Sequence, residues 1–285
     1  MQVEELHPVA FKIAPNSGPE VFKANIQANI GLPVPRLRVR QCMIVGGGPS
    51  VADYLGEIAT AKANGFDIFA INGAVNFLMK NNIVPQYGIL YDAREGNTVF
   101  VRRTYGAVHW LVASHAHPAV WDALLNTAHG IPERTTMFHT NGGDGIQEMI
   151  RAAEPEATIF ESASMGGLMA LSLVNIMGYK TARLYGYDSS AREVPLEKRT
   201  DPTDIYAKHA YPQPLNEDQK LVEVYFNGKP YTTTGVLAQQ ATYFSRIYRL
   251  YEQLGLSITV IGDGLLPDMW RAEQALRSIT SQESQ

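Results

Sequence analysis

A single cysteine, Cys42, is present in 285 residues. One thiol makes no internal disulfide and no cysteine-based metal site. Cys42 lies in an apolar run, where a buried structural thiol is expected. No apolar stretch approaches the roughly 20 residues of a membrane span. The opening Met1-Gln2-Val3-Glu4-Glu5 lacks the basic start and apolar centre of a signal peptide. A cytoplasmic location is the expectation that follows. Charge of one sign is also missing: 24 Lys and Arg against 28 Asp and Glu leave a formal net charge of −4. That balance argues against general nucleic-acid binding. Two nucleotide signatures are absent as well. The G-x-G-x-x-G fingerprint fails because Val51 stands where its third glycine belongs, and no G-x-x-x-x-G-K-[ST] loop occurs.

What is there begins with Cys42-Met43-Ile44-Val45-Gly46-Gly47-Gly48-Pro49-Ser50. It reads as strand, tight turn and helix start. Glycine lets a ligand approach bare backbone, and Pro49 suits a first helical position. Free N–H groups at such a start attract phosphate; a plain β–α connection is the alternative.

From Cys42 onward, apolar runs alternate with segments of helical length. Strands are expected at Cys42–Val45, Asp67–Ile71, Tyr87–Tyr91, His109–Ala113, Thr135–Phe138, Ala157–Phe160, Ala182–Gly186 and Ser257–Ile261. Helices are expected at Val51–Ala63, Ala74–Asn82, Pro118–His129, Gly145–Ala153, Met165–Met177 and Val236–Leu254, with Thr234 a candidate cap for the last. This alternation predicts an α/β, Rossmann-like fold, a mostly parallel sheet with helices on both faces. One such domain is expected over residues 41–279, after a lead-in at 1–40 and before a polar tail at 280–285. Residues 189–230 interrupt the rhythm with Pro195, Pro202, Pro212, Pro214 and Pro230, and read as a lid-like insertion after the seventh strand.

In parallel sheets ligands bind outside the carboxyl ends of the strands. The residues at those points are polar: Asn72 after the second strand; Asp92, Arg94 and Glu95 after the third; Ser114, His115 and His117 after the fourth; His139, Thr140 and Asn141 at the fifth; Ser162 and Ser164 after the sixth; Asp188 after the seventh. Such a rim suits a small-molecule site. His115 and His117 invite a zinc reading, but i and i+2 do not share a helix face; capping and hydrogen bonding are favoured.

Val45–Ser50, Ala70–Gly73, and Ser162–Gly167 running on to Leu184-Tyr185-Gly186-Tyr187-Asp188 together resemble a superfamily. It groups flagellar motility accessory factors with archaeal 6-hydroxymethylpterin diphosphokinases. The pattern is also similar to that of bacterial CMP-sialic acid sialyltransferases. The resemblance covers about residues 42–190. It implies that Gly46, Gly47, Gly48, Pro49 and Ser50 face nucleotide phosphates, and that Asn72 bonds phosphate or ribose. It implies that Ser162, Ser164 and the Gly166 helix start close the other side, and that Asp188 orients sugar, base or the following loop. A catalytic His in a His-Ala context matches His209, with Tyr206 and Tyr211 as lid tyrosines. Two departures stand out: Gly47 where sialyltransferases often carry Asn, and Tyr91-Asp92 where they carry Asn-Pro.

Two enzyme readings follow, and in both the partner is a nucleotide or nucleotide-sugar. In the first, a glycosyl group passes from a CMP-linked or related donor to a small-molecule or glycan acceptor, with His209 as general base and Tyr206 or Tyr211 stabilising the departing phosphate. In the second, ATP gives a diphosphoryl group to a hydroxymethylpterin-like acceptor. Asp92, with Glu95 or Asp188, then holds Mg²⁺ as the tentative metal residue. The third reading is a non-catalytic nucleotide-binding module.

Overall fold

In the computed structural model, residues 18–31, 41–101, 106–126, 130–143, 145–161, 163, 165–192 and 221–283 are described. The eight expected strands are present: β1 (Gln41–Val45), β2 (Asp67–Ile71), β3 (Tyr87–Leu90), β4 (His109–Ala113), β5 (Thr135–Asn141), β6 (Ile159–Glu161), β7 (Thr181–Tyr185) and, from Ser257 to Ile261, a strand designated β10 because the hairpin β8 (Leu221–Phe226) and β9 (Lys229–Thr234) precedes it. The eight form one parallel sheet in the order β10-β7-β1-β2-β3-β4-β5-β6. Strands after β1 are added on one side, whereas β7 and β10 are added on the other. The chain order therefore reverses at β1, the kind of point where open α/β sheets form a ligand crevice.

Both faces of the sheet are covered, which is why its strands read as continuous apolar runs rather than alternating ones. Cys42 and Ile44 of β1, with Phe69 and Ile71 of β2, face α7 (Gly166–Ile176), α8 (Gly235–Gln253) and α9 (Leu265–Glu283). Met43, Val45, Ile68 and Ala70 face the opposite layer of α2 (Leu55–Ala63), α3 (Ala74–Lys80), α4 (Thr98–Val101) and α5 (Pro118–Leu125). Helix α7 buries Leu168, Met169, Ala170, Leu171, Leu173 and Val174, so it is apolar around most of its girth and runs beneath its neighbours. A third cluster joins Ile26 of α1 (Pro19–Asn29) to Ile146 and Ile150 of α6 (Ile146–Ala153).

The structure departs from the sequence reading in several places. The helix expected from Val51 is split: Pro49–Asp53 is a 3-10 turn, and α2 begins only at Leu55. The expected lead-in contains α1, and α9 extends from Leu265 through the first residues of the expected tail. The C-terminal end of the expected insertion is the β8–β9 hairpin, closed by Asn227 and Gly228 at φ of 49° and 75°. Residues 193–220, the body of that insertion, lie outside the described residues. Thr234 caps α8 as expected, its Oγ1 accepting from Leu237 N–H at 3.3 Å. Among the described residues no helix is long and apolar enough to cross a membrane.

Candidate functional site

The Gly-rich loop is pulled tightly against the end of β7. Gly46 N–H donates to the Tyr185 carbonyl at 2.8 Å, and Gly48 N–H donates to the Gly186 carbonyl at 2.9 Å. A β-carbon on Gly46 or Gly48 would lie 2.6 Å from the Gly186 oxygen, so neither position admits a side chain. A β-carbon on Gly47 meets nothing within 4 Å. The first and third glycines thus serve the close approach of two loops, and the middle one faces open space.

Asp188 completes this junction. It is 2% exposed; one carboxylate oxygen accepts from Ser50 N–H at 2.7 Å and the other from Ser50 Oγ–H at 2.6 Å. Burial pushes its pKa up to about 6, an effect that the two Ser50 hydrogen bonds oppose and the negative Asp263 reinforces. Ser50 N–H is therefore not free, and Pro49 has none. The anion-attracting helix start expected at Pro49 is a five-residue 3-10 turn whose loop amides are largely spent within the protein. Among the described residues, Gly47 is the loop position whose N–H is assigned no protein acceptor.

Beside Gly47 runs the end of β2, since the β1–β2 register sets Val45 against Ala70. Asn72 there adopts the left-handed φ of 49°, and its N–H donates to the Ile89 carbonyl at 3.0 Å. Its side-chain Oδ1 is buried without a partner. A buried polar atom of this kind costs free energy unless something binds it.

The start of α7 closes over the same edge. Gly166 sits against Ile71 and Tyr91, and among the described residues no side chain caps the helix. Two tyrosines anchor this segment: Tyr91 Oη–H donates to the Ala163 carbonyl at 2.9 Å, and Tyr187 Oη–H donates to the Gly167 carbonyl at 2.8 Å. Neither tyrosine signals this role in the sequence, since their partners are 72 and 20 residues away. Ser162 and Ser164, in the same segment, lie outside the described residues, as do His209, Tyr206 and Tyr211.

Asp92, after β3, is engaged by Arg94. The guanidinium Nε lies 3.0 and 2.9 Å from the two carboxylate oxygens, its Nη2 also binds, and Arg94 N–H donates at 2.9 Å. Among the described residues there is no group of three His, Cys, Asp or Glu side chains that would hold a metal. For the Mg²⁺ reading of Asp92 with Glu95 or Asp188, Arg94 already engages Asp92 and Ser50 engages Asp188.

At the ends of β4 and β5, Ser114, His115, His139 and Thr140 are interior. Helix α1 covers the β4 end: Asn25 Nδ2–H donates to the His115 carbonyl at 2.8 Å, and Asn29 Nδ2–H to the Ser114 and Ala116 carbonyls at 2.5 and 2.9 Å. His115 is 1% exposed, lies 4.6 Å from Phe22 between ring centres and is hydrogen-bonded to Thr140 at 3.2 Å. Burial pulls its pKa down to about 4, against the opposing influence of a Tyr91 backbone bond and the Asp92 charge. His117 caps α5 through Nδ1, 3.2 Å from the Ala119 N–H, which is the capping role expected over zinc. His139 is buried against Glu154 at 3.2 Å.

One solved structure shares this architecture. The structure of the MAf glycosyltransferase from Magnetospirillum magneticum AMB-1 is similar at a TM-score of 0.56 and 13% identity, over 90% of this chain and 41% of that one. This chain thus spans well under half the length of that protein. A mammalian sialyltransferase solved with Gal-beta-1-3GalNAc-ortho-nitrophenol aligns at a TM-score of 0.39 and 10% identity, over 87% of this chain and 80% of that one. No curated protein matches the sequence. The family model of 6-hydroxymethylpterin diphosphokinase MptE-like proteins matches residues 21–193, more than half of the chain, and the protein belongs to that family.

Proposed function

We propose that the protein is a nucleotide-dependent transferase that moves a glycosyl group from a nucleotide-linked donor, CMP-linked by resemblance, to a hydroxyl of a small molecule or glycan. One observation carries this reading. Two acids at the strand ends are already engaged, Asp188 by Ser50 and Asp92 by Arg94, while neutral groups line the edge beside the loop. Those groups are the Gly47 backbone N–H and the start of α7, with the unpartnered Asn72 Oδ1, an acceptor, suited to a ribose hydroxyl. A backbone N–H and a helix start at such an edge suit a phosphate, with the Asp92 charge offset by Arg94 and the Asp188 carboxylate turned inward onto Ser50.

In this mechanism the Gly47 N–H and the Gly166 end of α7 hold the nucleotide phosphate, Asn72 Oδ1 accepts from a ribose hydroxyl, and Ser162 and Ser164 are assigned to the nucleotide by resemblance alone. An acceptor hydroxyl attacks the anomeric carbon as the bond to the phosphate oxygen breaks. The hydroxyl proton passes to a ring nitrogen of His209, the general base. The nucleotide leaves as a phosphate anion stabilised by Tyr206 or Tyr211.

The family description favours a second reading, diphosphoryl transfer from ATP to a hydroxymethylpterin-like acceptor. It relies on Asp92, with Glu95 or Asp188, and ranks second because Arg94 already engages Asp92. The two are separated by incubating the protein with CMP-linked sugar or with ATP and Mg²⁺, each with an acceptor panel, and following nucleotide release. Release of CMP in the presence of EDTA supports glycosyl transfer. Formation of AMP only with Mg²⁺ overturns it in favour of the diphosphokinase reading, and inactivity with both favours a binding module.

A further inference from the structure

Ser50 and Asp188 are 138 residues apart, yet the loops after β1, β7 and β10 all converge on this pair. From the β1 side, a β-carbon on Gly48 would stand 2.7 Å from the Asp188 Cγ; from the β10 side, one on Gly262 would stand 2.5 Å from Ser50 Oγ. The backbone of Asp188 is fixed as firmly as its side chain. Its carbonyl accepts from Leu266 N–H at 3.2 Å and from Ser190 Oγ–H at 3.3 Å, and Ser190 Oγ in turn accepts from Leu265 N–H at 3.1 Å. The next residue, Ser189, has a φ of 51°, and its carbonyl accepts from Thr233 Oγ1–H at 2.6 Å. Both carboxylate oxygens of Asp188 point at Ser50, in the interior of this knot and away from Gly47, which faces open space.

We infer that Asp188 is a positioning residue: acting through Ser50, it fixes the Gly46–Ser50 loop in the shape that presents Gly47 to the nucleotide, without touching the nucleotide itself. The inference deepens the nucleotide reading and rests on it for the identity of the ligand. The positioning itself is independent of any ligand, because Asp188 holds the loop through bonds internal to the protein. A charge-assisted pair of hydrogen bonds is among the stronger polar contacts. Its loss frees the loop while leaving the β1–β2 ladder intact.

Hydrogen exchange read by mass spectrometry tests the positioning, and calorimetry with CMP tests its consequence. In Asp188→Ala, exchange of the Ser50 amide is expected to speed by about tenfold or more, with strand β2 still protected. Asp188→Asn, whose amide oxygen still accepts from Ser50 N–H, is expected to restore most of that protection. CMP affinity is expected to fall about tenfold in Asp188→Ala. In Gly47→Val it is expected to disappear while Ser50 stays protected. If wild-type protein does not bind CMP, the nucleotide reading fails, and the exchange result still decides the positioning. Unchanged Ser50 exchange in folded Asp188→Ala overturns the inference. Should that variant not fold, Ser50→Ala is the substitute: faster exchange at Gly48, whose N–H bonds the Gly186 carbonyl, supports the inference, and wild-type exchange there overturns it.

Discussion

Arg94 grips Asp92 side-on, its Nε within 3.0 Å of both carboxylate oxygens, with only Ala93 between them in the chain. The pairing turns the acid after β3 from a candidate cation ligand into a neutralised, oriented group. Nucleotide turnover is therefore expected to persist within about twofold after EDTA treatment, a margin well inside one hydrogen bond's worth. A complete loss of turnover that Mg²⁺ restores would contradict the glycosyl-transfer account.

The three loop glycines are expected to respond differently to substitution. Gly48→Ala puts a β-carbon 2.6 Å from the Gly186 oxygen, so the loop or β7 must shift. A cost of about 2 kcal/mol follows from overpacking, read as a lower urea midpoint. Gly47→Ala meets open space and is expected to leave the midpoint unchanged. Equal costs at the two positions would contradict the loop geometry.

His115 and Asp188 oppose each other in the pH dependence of stability. Folded His115 takes its proton near pH 4, against about 6.5 when unfolded, so its contribution is full above 6.5 and falls as pH drops toward 4. Folded Asp188 takes its proton near pH 6, against about 3.9 when unfolded, so its contribution grows as pH drops through that window. Each effect is on the order of 3 kcal/mol across the full window. Urea melts of His115→Gln are expected to show stability rising from pH 7 to pH 4.5 relative to wild type, and Asp188→Asn the reverse. Parallel profiles for both variants would refute the assignment.

His209→Ala is expected to lower turnover by about a hundredfold or more, the usual range for a general base, with CMP affinity unchanged by calorimetry. Wild-type turnover would remove His209 from the mechanism.

The strands were legible because a sheet buried on both faces requires unbroken apolar runs. Asp67–Ile71, His109–Ala113 and Ser257–Ile261 have the bounds their composition predicts. Helix α1 was not, since Pro15, Gly18, Pro19, Pro33 and Pro35 surround it and its buried face includes Asn25 and Asn29. The Asn227-Gly228 turn is a strong hairpin signal, obscured by the proline-rich stretch before it. At the candidate site, the polar residues after each strand were readable one by one, but their partners were not. That Arg94 engages Asp92, that Ser50 satisfies Asp188 and that α1 covers His115 depend on side-chain orientation and on contacts up to 138 residues apart.

The most direct measurement is calorimetric titration of CMP, without metal, and of ATP with Mg²⁺ into wild-type protein and Gly47→Val. The account predicts that CMP binds the wild type without metal and that Gly47→Val abolishes this binding without lowering thermal stability. Binding of ATP alone, or CMP binding that survives Gly47→Val, would contradict it.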